Sequence, residues 1–331
     1  MNILLTGAGF TKNFGGFLAD EMWAIIFNHP AIKRQARVRK FMLDNNDYEL
    51  IYHTIMNDPP GGNFDDHDKI TIRTAVSNAY KQLDYKILAW NSGTSSIEIF
   101  NVAKLINCFA DDRSSMSYFF TLNQDLLIER HFIRFISHKT LNLPGNIHIK
   151  PASGSDIDRS SPLKVDDFII LPKQDRVNKI RSTPLSTHEF HYIKLHGSFN
   201  WKSSSGNEMM VIGQGKEEQI MKEPLLEWYY EIFNKALTQG GARLFVIGYG
   251  FRDKHINKII AESIKRHNLQ LYVFSPKKPY DFFESLLPSD GEANTIYEGI
   301  CGYYPYDFSQ VFPSYGSETE EYKVIYSNFF S

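Results

Sequence analysis

Cysteine is scarce in this chain: of 331 residues only Cys108 and Cys301 carry a thiol, far apart and outside any CxxC pair. A tetracysteine zinc site therefore cannot form within it, and a disulfide framework is not expected. Long apolar runs are missing too, and no stretch approaches the roughly 20 residues that a membrane-spanning helix needs. The net charge of −2 supplies no global attraction to nucleic acid or to an anionic membrane. The one dense basic run, Lys33 to Lys40, lacks the interleaved aromatics and glycines of a nucleic-acid surface. A solvated helix face or a contact between subunits accounts for it. An apolar strand is predicted from Ile3 onward, so no signal peptide is expected. These absences lead to the expectation of a soluble cytoplasmic protein that binds neither membrane nor nucleic acid, with both thiols buried and inert.

What is present is apolar and aromatic. Hydrophobic residues make up 42% of the chain, with 25 Phe and 18 Tyr, enough for one large core or two ordinary ones. The run Ile3–Leu5 ends at Thr6-Gly7-Ala8-Gly9, and Phe17, Leu18, Met22, Ile25 and Ile26 then recur at helical spacing as far as Pro30. Strand, glycine turn and helix is how an α/β sheet opens a phosphate site, because glycine leaves no Cβ between backbone amides and an anion. This is G-x-G without a third glycine, and a purely structural turn uses the same residues.

After a break at Asp58–Asn63, a helical stripe runs from Asp65 to Trp90 through Ile70, Val76, Tyr80, Leu83, Ile87 and Leu88. Ser95–Glu98 has capping-box spacing and opens a further helix. Residues 33–110 therefore read as a helical insertion after the first βα unit. Tyr118–Thr121 is a second strand, running into Leu122-Asn123-Gln124-Asp125 and a helical stripe to Ile136. The stretch to Glu189 is irregular apart from a strand at Phe168–Leu171, and is a candidate lid. His191–Leu195 ends at His196-Gly197, and a hairpin is predicted from Lys202–Asn207 with Met209–Ile212 returning. Pro224 opens a helix closed by Gly240-Gly241. Leu244–Ile247 reaches Gly248-Tyr249-Gly250-Phe251, Asp253 caps the next helix, and Leu271–Phe274 is stopped by Ser275-Pro276. The tail, with an acidic patch at Ser317–Glu321, shows no legible pattern. The expected fold is α/β: a doubly wound, Rossmann-like, mainly parallel sheet over residues 1–331 with the helical insertion inside it.

Gly7-Ala8-Gly9, Thr121-x-Asn123-x-Asp125, His196-Gly197 and Gly248-Tyr249-Gly250 follow apolar strands in that order. Together they resemble the sirtuin superfamily, with its GAG turn, T-x-N-x-D motif, catalytic His-Gly and later G-x-S turn. The variants Leu195-His196-Gly197-Ser198-Phe199-Asn200-Trp201 and Ile247-Gly248-Tyr249-Gly250-Phe251-Arg252-Asp253 are similar to the prokaryotic branch linked to antiphage defence. Members of that branch destroy NAD rather than deacylate proteins. The resemblance implies NAD as substrate, with no zinc. It implies Asn123, Asp125 and His196 as catalytic residues. It also implies a cofactor cradle of Gly7, Ala8, Gly9, Phe10, Thr121, Asn123, Asp125, Gly248, Tyr249, Gly250 and Ser275. By the same analogy the partners are further copies of the chain and a separately encoded hexameric DNA-translocating ATPase or another defence protein. The family's arginine after the GAG turn is missing, which leaves Lys12 or a residue elsewhere to meet the pyrophosphate.

The chemistry stands beside the resemblance. Cleavage of the nicotinamide–ribose bond passes through an oxocarbenium-like transition state. Asn123 offers an amide to hold the ribose or a water, and His196 titrates near neutrality and suits a base. The resemblance gives Asp125 the nicotinamide carboxamide. Each has a plainer account: Asn123 as a turn former, Asp125 as a helix cap, His196 as structural. Asp253 and His255 read as a helix cap beside a surface histidine. An NAD-dependent protein deacylase and a non-catalytic sensor of NAD or an ADP-ribose derivative are the rival functions.

Overall fold

The computed structural model describes residues 1–110, 115–145, 161–164, 167–206, 211–286, 290–315 and 318–330. Among the described residues there are nine strands: β1 (Asn2–Thr6), β2 (Ser117–Thr121), β3 (Thr140–Asn142), β4 (Ile169–Ile170), β5 (Glu189–Lys194), β6 (Trp201–Lys202), β7 (Arg243–Ile247), β8 (Gln270–Phe274) and β9 (Ile300–Tyr304). Seven make one sheet in the order β3-β5-β2-β1-β7-β8-β9, every neighbouring pair parallel. Parallel strands need crossovers, and helices flank the sheet; accordingly β2 is buried at all five positions and β1 at its last four. The expected α/β, Rossmann-like architecture is present. No described helix is long and apolar enough to cross a membrane.

Several local expectations fail for physical reasons. The first stripe does form one helix, Ala19–Phe27, but a short helix Ala8–Lys12 and a turn at Gly15, with φ +83°, precede it, and Pro30 starts the next helix. The basic run is divided between helices Pro30–Arg34 and Ala36–Leu43. Arg37 donates to Asp68 at 2.9 Å, and the Arg39 guanidinium lies 4.2 Å over Phe27, so the run is not one open patch. The helix Ile99–Cys108 is capped by Glu98, whose carboxylate accepts from the Phe100 amide, instead of by a box starting at Ser95. The hairpin is replaced by a parallel pair, β6 with β4. Residues 209–210 of its expected return, 146–160 of the irregular stretch and Ser317 lie outside the described residues. Cys301 is exposed and Cys108 half-buried, against the expectation of buried thiols. The tail adds β9 to the sheet edge and the helix Glu320–Phe330.

The glycines of the first turn have a specific use. The Gly7 amide donates to the Ile247 carbonyl at 3.0 Å and the Gly9 amide to the Gly248 carbonyl at 2.8 Å. A Cβ on Gly9 would sit 2.8 Å from Gly248 Cα, and one on Gly248 would sit 2.1 Å from the Phe10 amide nitrogen. The turns after β1 and β7 are thus in direct backbone contact, a distance only glycine permits. Phe10 anchors the first turn from below, packing against Phe14, Phe132 and Phe308 at centroid distances of 5.5, 6.1 and 5.7 Å.

Two substitutions separate contact from conformation. Gly240 and Gly248 both have positive φ, but a Cβ on Gly240 meets nothing within 4 Å. Gly240→Ala is expected to cost about 1–2 kcal/mol of left-handed strain. Gly248→Ala is expected to lose at least about 2 kcal/mol more through overpacking. Denaturant unfolding of both variants measures the difference.

Candidate functional site

The carboxyl ends of β5, β2, β1 and β7 lie side by side, and the chain turns from one side of β1 to the other between β2 and β7. That switch point is where doubly wound sheets leave a ligand crevice. The loops ending these strands are Leu195–Ser198, Leu122–Asp125, Gly7–Gly9 and Gly248–Phe251.

Thr11, in the short helix after the glycine turn, joins the first two loops. Asn123 Nδ2 donates to the Gly7 carbonyl at 2.9 Å and to Thr11 Oγ1 at 2.8 Å. Thr11 Oγ1 in turn donates a hydrogen bond to Asp125 Oδ2, also at 2.8 Å, while Asp125 Oδ1 accepts from the Leu127 amide at 3.0 Å. Burial pushes the Asp125 carboxyl above its usual pKa, against the pull of the Lys194 ammonium and these two hydrogen bonds. Lys194 is itself buried, 2.8 Å from Glu129 Oε1. Asp125 therefore does act as a local cap, and it also ties the second loop to the first. Asn123 has its amide hydrogens committed and keeps Oδ1 as an acceptor.

His196 is nearly enclosed. Its Nε2 is 3.1 Å from Nε2 of His255, and its ring also bonds the Leu122 backbone. Burial drives its pKa down to about 3, so it is not the base titrating near neutrality that the sequence led us to expect; Asp253 opposes the shift, whereas Lys216 and His255 reinforce it. Burial also lowers the His255 pKa, so the two rings meet uncharged at neutral pH. Asp253 does not cap its helix with its side chain, and His255 is only 6% exposed, which corrects both expectations. Lys216 Nζ lies 2.7 Å from Asp253 Oδ1 and 2.7 Å from Glu49 Oε2. Burial alone would raise the Asp253 carboxyl; attraction to protonated His196 and to Lys216 outweighs it and lowers the pKa. At neutral pH only Lys216 of those two carries charge.

The remaining predicted residues are placed as follows. Thr121 is buried and accepts from Thr6 Oγ1 at 2.9 Å and from the Asn123 amide at 3.1 Å, shaping its loop. The amides of Gly7, Gly9 and Phe10 are all engaged within the turns, leaving Ala8 as the exposed member of that stretch. Phe10 is a core side chain. Tyr249 directs its hydroxyl to Asn257 Oδ1 at 2.8 Å, and Gly250 is exposed beside it. Ser275, at the end of β8, accepts from the Lys277 amide and stands apart from the His196 group. Lys12 pairs with Glu21 at the surface.

The profile of the SIR2-like domain matches residues 117–292, from β2 into the second helix after β8, Asp290–Glu298. That is more than half of the chain. The chain belongs to the SIR2-like family. Among curated proteins, none matches it. The SIR2-like family is in general NAD-dependent and enzymatic, and the matched span holds Asn123, Asp125, His196 and His255 but not the glycine turn of β1.

Sequence reasoning missed Thr11, Lys216, Glu49 and the inward placement of Asp253 and His255. The Asp253-x-His255 pair directly after a glycine turn was an available signal for this SIR2-like site. Nothing in the sequence linked Lys216 and Glu49 to it.

Thr11→Val removes the hydroxyl shared by Asn123 and Asp125 and is expected to cost about 1–3 kcal/mol, with Thr11→Ser close to wild type in thermal unfolding. Acid sensitivity follows from the histidines. The unfolded chain takes up protons near pH 6.5 that folded His196 refuses until about 3. Stability is therefore full above about pH 6.5 and falls as the pH drops through that window. Unfolding free energies at a series of pH values are expected to show a shallower acid slope for His196→Gln than for wild type.

Proposed function

We propose that this SIR2-like chain hydrolyses NAD to nicotinamide and ADP-ribose. The observation that carries the reading is the placement of Asn123 and Asp125, tied to the Gly7 turn, and of His196 in the loops that end two adjacent parallel strands. In the reaction the bond from ribose C1′ to the nicotinamide nitrogen breaks and its electron pair leaves with the ring, neutralising it. The oxygen of water bonds to C1′ and a water proton is lost to a base or to solvent. A neutral His196 suits such a site, because an imidazolium would repel the cationic nicotinamide ring. Its imidazole offers a hydrogen bond to a ribose hydroxyl or to the water without adding charge. Asn123 Oδ1 is the matching acceptor on the β2 side.

The wider setting we propose is NAD depletion in the cytoplasm as the toxic step of an antiphage defence system. Its support is the resemblance of the His196–Trp201 and Gly248–Asp253 segments to that branch. In that setting the chain works as a homo-oligomer, alone or beside a separately encoded hexameric ATPase. A deacylase is disfavoured by chemistry, since two cysteines cannot build the tetracysteine zinc module of the family's deacylases.

Purified protein incubated with NAD, with products separated by chromatography, is expected to give nicotinamide and ADP-ribose. Asn123→Ala and His196→Ala each remove a positioned hydrogen-bonding group and are expected to lose about 10²–10³-fold in turnover while retaining a cooperative unfolding transition. Acyl-ADP-ribose formed with an acylated peptide, NAD bound but never consumed, or full turnover in either folded variant would each contradict the reading.

A further inference from the structure

The turn after β7 is more constrained than a helix entry needs. Phe251 has φ +53°, a left-handed conformation that a bulky buried aromatic adopts only when its surroundings enforce it. They do so here. Asn257 Nδ2 donates to the Phe251 carbonyl at 2.7 Å, and the Tyr249 hydroxyl donates to Asn257 Oδ1 and accepts from the Asp253 amide at 3.1 Å. Such strain collects at functional sites, and the product of this one is the placement of His255 against His196.

We propose that His255 is a positioning residue for His196, fixing its ring and tautomer through the Nε2···Nε2 hydrogen bond. The proposal rests on the NAD-hydrolase reading for its kinetic consequences, but its geometry is independent of it. Two uncharged imidazoles 3.1 Å apart must divide the roles, one nitrogen donating and the other accepting. With the Leu122 backbone bonded to the same ring, His196 is held at two points and cannot turn. The groups facing this pair come from every neighbouring element: Asp253 from its own turn, Lys216 and Glu217 from the helix Lys216–Met221, Glu49 from the helix Tyr48–Met56, and Tyr230, whose hydroxyl donates to the His255 carbonyl at 3.1 Å. His196, Asp253 and His255 also have the spacing of metal ligands, all their ligand atoms lying within 4.8 Å of one another. The Lys216 ammonium already neutralises the carboxylate at 2.7 Å, which favours a hydrogen-bonded pair over a cation site.

The test compares His255→Ala, His255→Gln and His196→Ala for NAD turnover, for NAD affinity by calorimetry, and for the pH dependence of kcat. His255→Ala is expected to lower kcat about 10²-fold through misplacement of His196, with KM for NAD nearly unchanged. Its acid limb should move to higher pH, because the push of His255 on His196 is gone. His255→Gln, which keeps a side-chain donor, should recover part of the rate. If His196→Ala is inactive while folded His255→Ala matches or exceeds wild type, the positioning role is overturned and the hydrolase reading survives. If His196→Ala itself turns over NAD normally, the hydrolase reading fails instead. Should His255→Ala fail to fold, imidazole 15N spectra of the wild-type protein decide. At pH 7 each of the two rings is expected in a single neutral tautomer. Mixed tautomers, or stoichiometric metal that departs with the His255 variants, would overturn the proposal.

Discussion

The contact between Gly9 and Gly248 is the constraint on which the site depends. It is a backbone-to-backbone approach, with the Gly9 amide 2.8 Å from the Gly248 carbonyl, and it fixes how the ends of β1 and β7 meet. Everything functional is placed from there. The Gly7 carbonyl is where the Asn123 amide attaches, and the turn leaving Gly248 delivers Asp253 and His255 toward His196. A side chain at either glycine would force the two turns apart.

Two polar networks meet at this edge, and both depend on burial. One runs from Asn123 through Thr11 to Asp125, with Lys194 and Glu129 behind it. The other sets the His196–His255 pair beside the Asp253–Lys216–Glu49 cluster, with the Asp253 carboxylate within 4.8 Å of both rings. Desolvation is costly for each charged member and is offset only because partners stand within hydrogen-bond reach. The same desolvation keeps His196 uncharged at neutral pH. The helices between Ala19 and Cys108 reach the second network through Glu49 to Lys216, and they hold the segment after β2 through Asp84, which takes two hydrogen bonds from Arg130 at 2.7 and 2.6 Å.

Much of this was legible in the sequence where a short run determines its own structure. The buried strands Ile3–Leu5, Tyr118–Thr121, His191–Lys194, Leu244–Ile247 and Leu271–Phe274 announce themselves by apolar, β-branched and aromatic content, and the loops after them carry the family motifs. β9 was not legible, because Ile300–Tyr304 is a half-buried edge strand interrupted by Gly302. The first glycine turn was open to a phosphate role or a structural one; that its Gly7 and Gly9 amides donate to the Ile247 and Gly248 carbonyls was not legible, because no local pattern reveals that a turn's partner is another turn 239 positions away. Asp253 and His255 were misread for the same reason. A helix cap and an inward-facing histidine look alike until tertiary structure brings His196 and Lys216 beside them.

The central claim is that water replaces nicotinamide at the ribose carbon, and one measurement addresses it directly. NAD is incubated with the protein in 18O-labelled water and the products are weighed by mass spectrometry. The account predicts ADP-ribose carrying one solvent oxygen, formed in equal amount with free nicotinamide. Unlabelled ADP-ribosyl product, an ADP-ribose ester of an acyl group, or NAD recovered intact would contradict it.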